Sequence, residues 1–228
     1  MKPLRDWDDL PDFMRTEEVR PYYDILKKHE RELYLKRAFD VVAASILLFL
    51  LAPVMVVVAV WIKIDSPGPV FFRQTRITQY GKKFRIFKFR TMVNNADKIG
   101  SSVTVGSDSR ITKVGEAIRR YRIDEFPQLL NVLAGDMSFV GTRPEVKKYV
   151  DEYSNEMYAT LLLPAGITSA ASIQYKDESD ILADFNNADE AYISIILPNK
   201  MQYNLDELKT FTILHEISLL FKTIIEVI

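Results

Sequence analysis

Residues 41–62 read VVAASILLFLLAPVMVVVAVWI, 22 residues in a row without a charge, long enough to cross a bilayer as a helix. Pro53 stands at the middle, where it removes a helix hydrogen bond and favours a kink or break. Cations flank both ends: Lys27, Lys28, Arg31, Lys36 and Arg37 before the run, Lys63, Arg73, Arg76, Lys82 and Lys83 after it. A crossing helix expects cations enriched on one side, so two basic flanks fit a hairpin that dips in and returns to the same face. A kinked single pass is the plainer alternative. Asp40, at the start of the run, is placed to cap the helix or to pair with Lys36 or Arg37.

Outside that run the chain looks globular. Its 228 residues are 48% hydrophobic and contain no cysteine, which excludes disulfides, thiolate nucleophiles and cysteine-bound metal centres. His29 and His215 are the only histidines, so acid–base or metal chemistry falls to Asp, Glu, Lys and Arg rather than to a Ser-His-Asp triad. A net charge of −1 hides an asymmetry: residues 63–122 hold 14 Lys and Arg against 4 Asp and Glu, whereas residues 123–228 hold 7 against 17. The middle third is built to meet anions, or else to pair with the acidic remainder. Residues 1–35 hold nine acidic residues and nothing that resembles a cleavage site, so they read as a charged, helical, partly amphipathic leader and not as a secretory signal.

After the apolar run, Ser66-Pro67-Gly68-Pro69 is turn chemistry. Lys83 to Arg90, KFRIFKFR, alternates cation and apolar side chain, the period of a strand with one wet face. Residues 112–121 and 125–134 read as two helices, with Asp124 at the N-cap of the second, Pro127 in its first turn and Gly135 as its stop. Residues 205–228 read as one terminal helix with an apolar face from Leu208 to Ile225.

The adjacent carboxylates Asp124 and Glu125 are the pair most suited to chemistry. An ionised carboxylate is a nucleophile or a magnesium ligand, and magnesium takes one or two protein carboxylates plus substrate phosphates. An ordinary acidic cap is the bland alternative. What favours chemistry is the surrounding cations: Lys88, Arg90, Arg119, Arg120 and Arg122 before or beside the pair, and Arg143 after it, arginine's planar fork being suited to phosphate oxygens. No nucleic-acid module accompanies them, so nucleic acid is not expected as a partner.

In one order along the chain, KRAFDVVAASILLFLLAPV, DSPGPVFFRQTR, GKKFRIFKFRTM, RRYRIDEFPQLLNVLAGDMSFVGTRPE and PAGITSAAS resemble the bacterial sugar transferase family of monotopic phosphoglycosyl transferases. The resemblance runs from Lys36 nearly to the C-terminus. It implies transfer of a sugar 1-phosphate from a UDP-sugar to a polyprenyl phosphate, typically undecaprenyl phosphate, with release of UMP. It further implies that Asp124 is the nucleophile of a covalent phosphosugar intermediate, that Glu125 helps hold Mg2+, and that Arg143 grips a substrate phosphate. Lys88, Arg90, Arg119 and Gln128 match other positions near the substrate. Three residues depart from the family pattern: Ala52 where a serine often precedes the proline, Thr142 where a proline often precedes the arginine, and Glu216 where an aspartate is common.

The expected fold is α+β, a helix-rich monotopic membrane domain with a re-entrant, broken membrane helix at 36–64 and a small β element. Residues 65–228 form the catalytic part, facing the cytoplasm at the inner leaflet of the bacterial inner membrane. A homo-oligomer stays open. The alternative is a non-catalytic, membrane-anchored adaptor that binds anionic lipid.

Overall fold

The computed structural model describes residues 2–94, 96, 108–185 and 187–227. It is helix-rich with a small β component. Helix α1 (Arg20–Lys28) leads into α2 (Glu30–Asp65), which carries the apolar run with Pro53 inside it. At 36 residues and 1.5 Å per residue, α2 is ~54 Å long.

Short strands follow: β1 (Phe71–Phe72), β2 (Thr75–Ile77), β3 (Lys83–Arg85) and β4 (Lys88–Phe89). β1 pairs antiparallel with β4, placing Phe72 opposite Lys88, and β2 pairs antiparallel with β3, placing Arg76 opposite Phe84. The alternating run KFRIFKFR is therefore not one strand. Ile86 and Phe87 are consecutive apolar residues that break its period, and the backbone there leaves the sheet for Asn131: the Phe87 N–H donates to Asn131 Oδ1 at 2.8 Å, and Asn131 Nδ2 donates to the Arg85 carbonyl at 3.0 Å. These bonds satisfy the groups released by the break.

Helix α3 (Lys113–Arg120) begins at Thr112, whose side chain accepts from the Gly115 N–H. A 3-10 turn (Ile123–Gln128) and α4 (Leu129–Ala134) come next. The expected second helix thus starts late, and Asp124 lies inside the 3-10 turn instead of capping an α-helix. Pro127 has no N–H to give to the Ile123 carbonyl, so the chain takes the tighter hydrogen-bond pattern first. Gly135 ends α4 with φ 82°, the left-handed conformation that glycine adopts at helix ends.

Strands β5 (Met137–Val140) and β6 (Ala165–Thr168) pair in parallel, with α5 (Lys147–Val150) between them. The remainder is α6 (Ala170–Gln174), α7 (Glu178–Ala183), α8 (Ala188–Ala191), a π-helical turn (Tyr192–Ile196), α9 (Leu197–Lys209) and α10 (Ile213–Val227). The expected terminal helix is thus two helices. Thr210 donates to the Asp206 carbonyl at the end of α9, while Thr212 Oγ1 and Glu32 cap the first N–H groups of α10.

The largest core cluster joins leader to body: Leu4, Met14, Val19 and Leu26 are buried with Leu162 and Met201. Helix α2 packs on this body near both ends. Arg37 donates to the carbonyls of Val132 and Leu133 at the end of α4, and Asp40 accepts from the Phe139 N–H of β5 at 3.1 Å, a partner other than the cap or cation expected for it. Ala44 packs with Phe84, Ile86 and Leu129, while Val58 and Ile62 pack with Phe89, Val114 and Ile118. Between these contacts α2 exposes an apolar face, with Phe49 82% accessible.

Behind β5 lies a group of buried charges. Glu207 accepts from the Ala170 N–H at the start of α6, and burial first, then the charge of Glu216, pushes its carboxyl from an ordinary 4.5 up to about 7. A carboxyl with a raised folded-state pKa stabilises the fold most while protonated, so this contribution is full below pH 4.5 and lost as pH rises through about 7, a fall of ~3 kcal/mol. Glu207→Gln keeps the acceptor and removes the charge. It is expected to flatten stability between pH 5 and pH 8 and to stabilise the protein by ~2 kcal/mol at pH 8; thermal melts across that range check this, and parallel curves for both proteins would contradict it.

Candidate active site

The 3-10 turn that presents the two carboxylates is set up by Arg122, whose φ of 51° lies in the left-handed region that non-glycine residues seldom occupy. Its carbonyl accepts from the Glu125 N–H at 3.1 Å. With three residues per turn, Glu125 and Gln128 fall on one side. Glu125 is 8% exposed and Gln128 2%, and the Gln128 Nε2 is buried with no hydrogen-bond partner.

Two cations converge on Glu125. Lys88 Nζ, from β4, donates to Glu125 Oε1 at 2.7 Å, and Arg143 Nη2, from the loop after β5, donates to the same oxygen at 2.6 Å. Burial raises the Glu125 pKa, but the charges and hydrogen bonds of Arg143 and Lys88 outweigh it and hold the carboxyl well below its ordinary range. Glu125 in turn stabilises the Arg143 guanidinium, whereas burial outweighs it at Lys88 and pulls that ammonium down. Asp124 differs from its neighbour. Burial, together with the charge of Glu125, raises its pKa against the opposing pull of Lys88, Arg119 and Arg143, and among the described residues it has neither hydrogen bond nor ion pair. It is a half-buried carboxylate whose charge the protein itself leaves unspent.

The structure therefore brings Lys88, Asp124, Glu125 and Arg143 together, with Gln128 on the same turn and the Arg119 charge acting on Asp124. It does not bring Arg90 to the carboxylates. Arg90 donates to the carbonyls of Ser66 and Pro67 at 2.7 and 3.1 Å and to Ser66 Oγ at 2.9 Å, closing the C-terminal end of α2, where carbonyls lack helical partners. Its position in the sequence, two residues from Lys88, gave no hint of this, because the turn it closes lies more than 20 residues earlier.

Sequence reasoning placed Arg76 only among the cations flanking the apolar run and passed over Glu145; the two hold the Arg143 loop. Arg76 Nη1 donates to the Pro144 carbonyl at 3.1 Å, the Ile77 N–H donates to the Glu145 carbonyl at 2.9 Å, and Tyr192 donates to Glu145 Oε1 at 2.6 Å. The signal available was the position of Glu145 two residues after Arg143. Beneath this loop the chain crosses itself closely: a Cβ on Gly166 would lie 2.2 Å from both the N and the O of Gly141. Gly166→Ala is expected to push the 141–145 loop away, costing ~2 kcal/mol or more of stability and weakening the hold on Arg143. A melt indistinguishable from the unaltered protein would show that the loop yields freely.

The profile of the bacterial sugar transferase family matches residues 31–228, leaving most of the leader outside it. The UDP-N-acetylgalactosamine-undecaprenyl-phosphate N-acetylgalactosaminephosphotransferase of Aeromonas hydrophila is 38% identical over 84% of this chain and 43% of its own length. The UDP-glucose:undecaprenyl-phosphate glucose-1-phosphate transferase of Escherichia coli K12 is 35% identical over 90% of this chain and 42% of its own. A transferase of the same name from Caulobacter vibrioides is 44% identical over 61% and 53%. The chain thus spans about half the length of these relatives or less. With the profile covering the apolar helix, the carboxylate turn and the Arg143 loop, this chain belongs to the bacterial sugar transferase family.

Proposed function

We propose that the protein transfers a sugar 1-phosphate from a UDP-sugar to a polyprenyl phosphate at the inner face of the bacterial cytoplasmic membrane, releasing UMP. The observation that carries this is the pairing of an unspent carboxylate, Asp124, with a neighbour, Glu125, that gathers Lys88 and Arg143, in a family whose relatives are named for undecaprenyl-phosphate sugar-phosphate transfer.

An Asp124 oxygen attacks the sugar-bearing β-phosphorus, the bond from that phosphorus to the bridging oxygen breaks, and UMP leaves. An oxygen of the lipid phosphate then attacks the aspartyl phosphate, regenerating the Asp124 carboxylate and forming the sugar diphospholipid. Splitting one hard displacement into two is what covalent catalysis achieves. Glu125 holds Lys88 and Arg143 in place, so their remaining N–H groups are ready for phosphate oxygens without reorganisation. Gln128 adds a buried donor, and Arg119 adds positive potential.

A divalent cation fits the donor set. Among the described residues Asp124 has no hydrogen bond or ion pair and the second oxygen of Glu125 accepts no hydrogen bond, and substrate phosphates would complete the shell because no cluster of three metal-ligating side chains is found among those residues. Asp124 and Glu125 would hold magnesium, which supplies charge neutralisation at the diphosphate.

The packing of α2 supports a re-entrant helix. Leu33, Lys36 and Asp40 at one end and Ile62 at the other are buried against a single globular body, so a straight crossing, which would part the two ends by a bilayer, does not suit it. Pro53 sits where a bend is needed, and a lipid phosphate and a soluble nucleotide sugar then meet at one surface.

The test is UMP release from a panel of UDP-sugars by the detergent-solubilised protein. Release from one sugar that depends on both undecaprenyl phosphate and magnesium is the expected result. A folded protein that releases none from any sugar, with both present, would point away from UDP-sugar transfer.

A further inference from the structure

Most of the cations in residues 63–122 that find acids pair with later parts of the chain: Lys82 with Asp136, Lys88 with Glu125, Arg76 with Glu145. Arg73 and Arg85 are among the cations of this stretch that form no ion pair with the described residues. They are nonetheless held in place. Arg73 Nη2 donates to the Arg85 carbonyl at 3.2 Å and Arg85 Nη2 donates to the Arg73 carbonyl at 3.4 Å, while the Arg73 guanidinium lies 3.3 Å from the centre of the Phe87 ring. The Nε of Arg73 is buried without a hydrogen-bond partner. The acid whose charge reaches Arg73 is Asp136, which is already bound by Lys82 at 2.9 Å.

Two guanidinium groups held side by side repel one another, and an anion bound between them relieves that repulsion. Stacking on an aromatic face orients the plane of Arg73 and leaves its in-plane N–H groups for a bidentate oxygen acceptor. The surroundings say where that acceptor lies. Phe84 and Ile86, on either side of Arg85 in the chain, pack with Ala44, Leu48 and Leu51 of α2. Phe72, next to Arg73, is exposed. The strand that bears Arg85 thus packs on the apolar helix through one face and carries Arg85 on its other, exposed face, next to an exposed aromatic ring, a setting in which cations meet lipid phosphates.

We propose that Arg73 and Arg85, the former stacked on Phe87, form an anion site for the phosphate group of a membrane lipid, distinct from the cluster at Glu125. This rests on α2 being embedded in the membrane. Because Phe87 directly precedes Lys88, a lipid phosphate held there sits beside the strand that carries a catalytic-site cation, and the site would fix how the domain meets the bilayer next to its reaction centre.

The full chain in neutral detergent is titrated with dihexanoyl phosphatidylglycerol, dihexanoyl phosphatidylcholine, farnesyl phosphate and inorganic phosphate, following its thermal midpoint. The expected result is a rise with phosphatidylglycerol, smaller with phosphatidylcholine, whose half-maximal concentration increases roughly tenfold or more in Arg73→Gln/Arg85→Gln. A weakening seen with farnesyl phosphate instead supports the site and assigns it to the acceptor lipid. An equal response to inorganic phosphate, or a lipid response unchanged in the double variant, overturns the proposal. Arg85→Gln alone, at an exposed position, reads the same effect should the double variant fail to fold. Sugar-phosphate transfer by the unaltered chain is followed in the same micelles, so its absence counts against the proposed reaction while the lipid response is judged separately.

Discussion

Asp124→Asn is expected to lower lipid-dependent UMP release by roughly 10³-fold or more, the scale of loss when a covalent nucleophile is removed, and to leave the fold as stable as before or stabler. The second half of that expectation comes from the environment of Asp124. Burial and the charge of Glu125 both oppose its ionised form, and the fold gives it no hydrogen bond or ion pair in return among the described residues. Asparagine fills nearly the same volume without the charge, so a gain of up to ~1 kcal/mol is expected, the exchange of stability for activity common at reactive sites. Glu125→Gln should behave in the opposite way, because it strips the shared anionic partner from Lys88 and Arg143 and loosens both. UMP release and thermal melts of the two variants separate the roles. If Asp124→Asn keeps more than about a tenth of the activity, Asp124 is not the nucleophile; if it melts well below the unaltered protein, its carboxylate is structural after all.

That the carboxylate pair would meet Lys88 and Arg143 was legible, because acids and cations at high density show in a linear sequence. The helical character of 112–134 was legible too, through Thr112, Pro127 and Gly135. What the sequence hid were contacts between distant segments. Arg90 looks like one more phosphate cation until its guanidinium is found closing the end of α2. Asp40 looks like a cap, yet it lies ten residues inside a helix and binds a strand. The alternation in KFRIFKFR gave the burial of Phe84 and Phe89 but not the break between them, which depends on the side chain of Asn131, over 40 residues away. The leader reads as charged and only partly amphipathic, and its sequence does not say that Leu4, Leu10, Met14 and Val19 are all buried.

The junction at which α2 leaves the body carries the other large expected effect. Lys36, 5% exposed, donates both to the Val140 carbonyl, at 2.8 Å, and to Glu216 of α10, itself 8% exposed. Lys36→Met alone leaves a buried carboxylate whose ionised form burial already disfavours, and a strand carbonyl without its donor, so a loss of ~3–5 kcal/mol is expected. Glu216→Leu alone takes the paired carboxylate from the Lys36 ammonium in a cavity lined by Phe39, Ile213 and Ile217, where Asp40 is the acid that remains. The two changes together remove both charges at once, and apolar replacement of a buried pair is often close to neutral. The double variant should therefore be stabler than either single variant, with a coupling of ~2 kcal/mol or more measured by denaturant unfolding in a mixed micelle. Additive losses would mean the two side chains act independently. Transfer activity adds a separate readout: if the pair serves only to fasten α2, the double variant keeps UMP release, whereas a stable double variant without activity would mean that the charge of Lys36 reaches the lipid phosphate as it leaves the membrane.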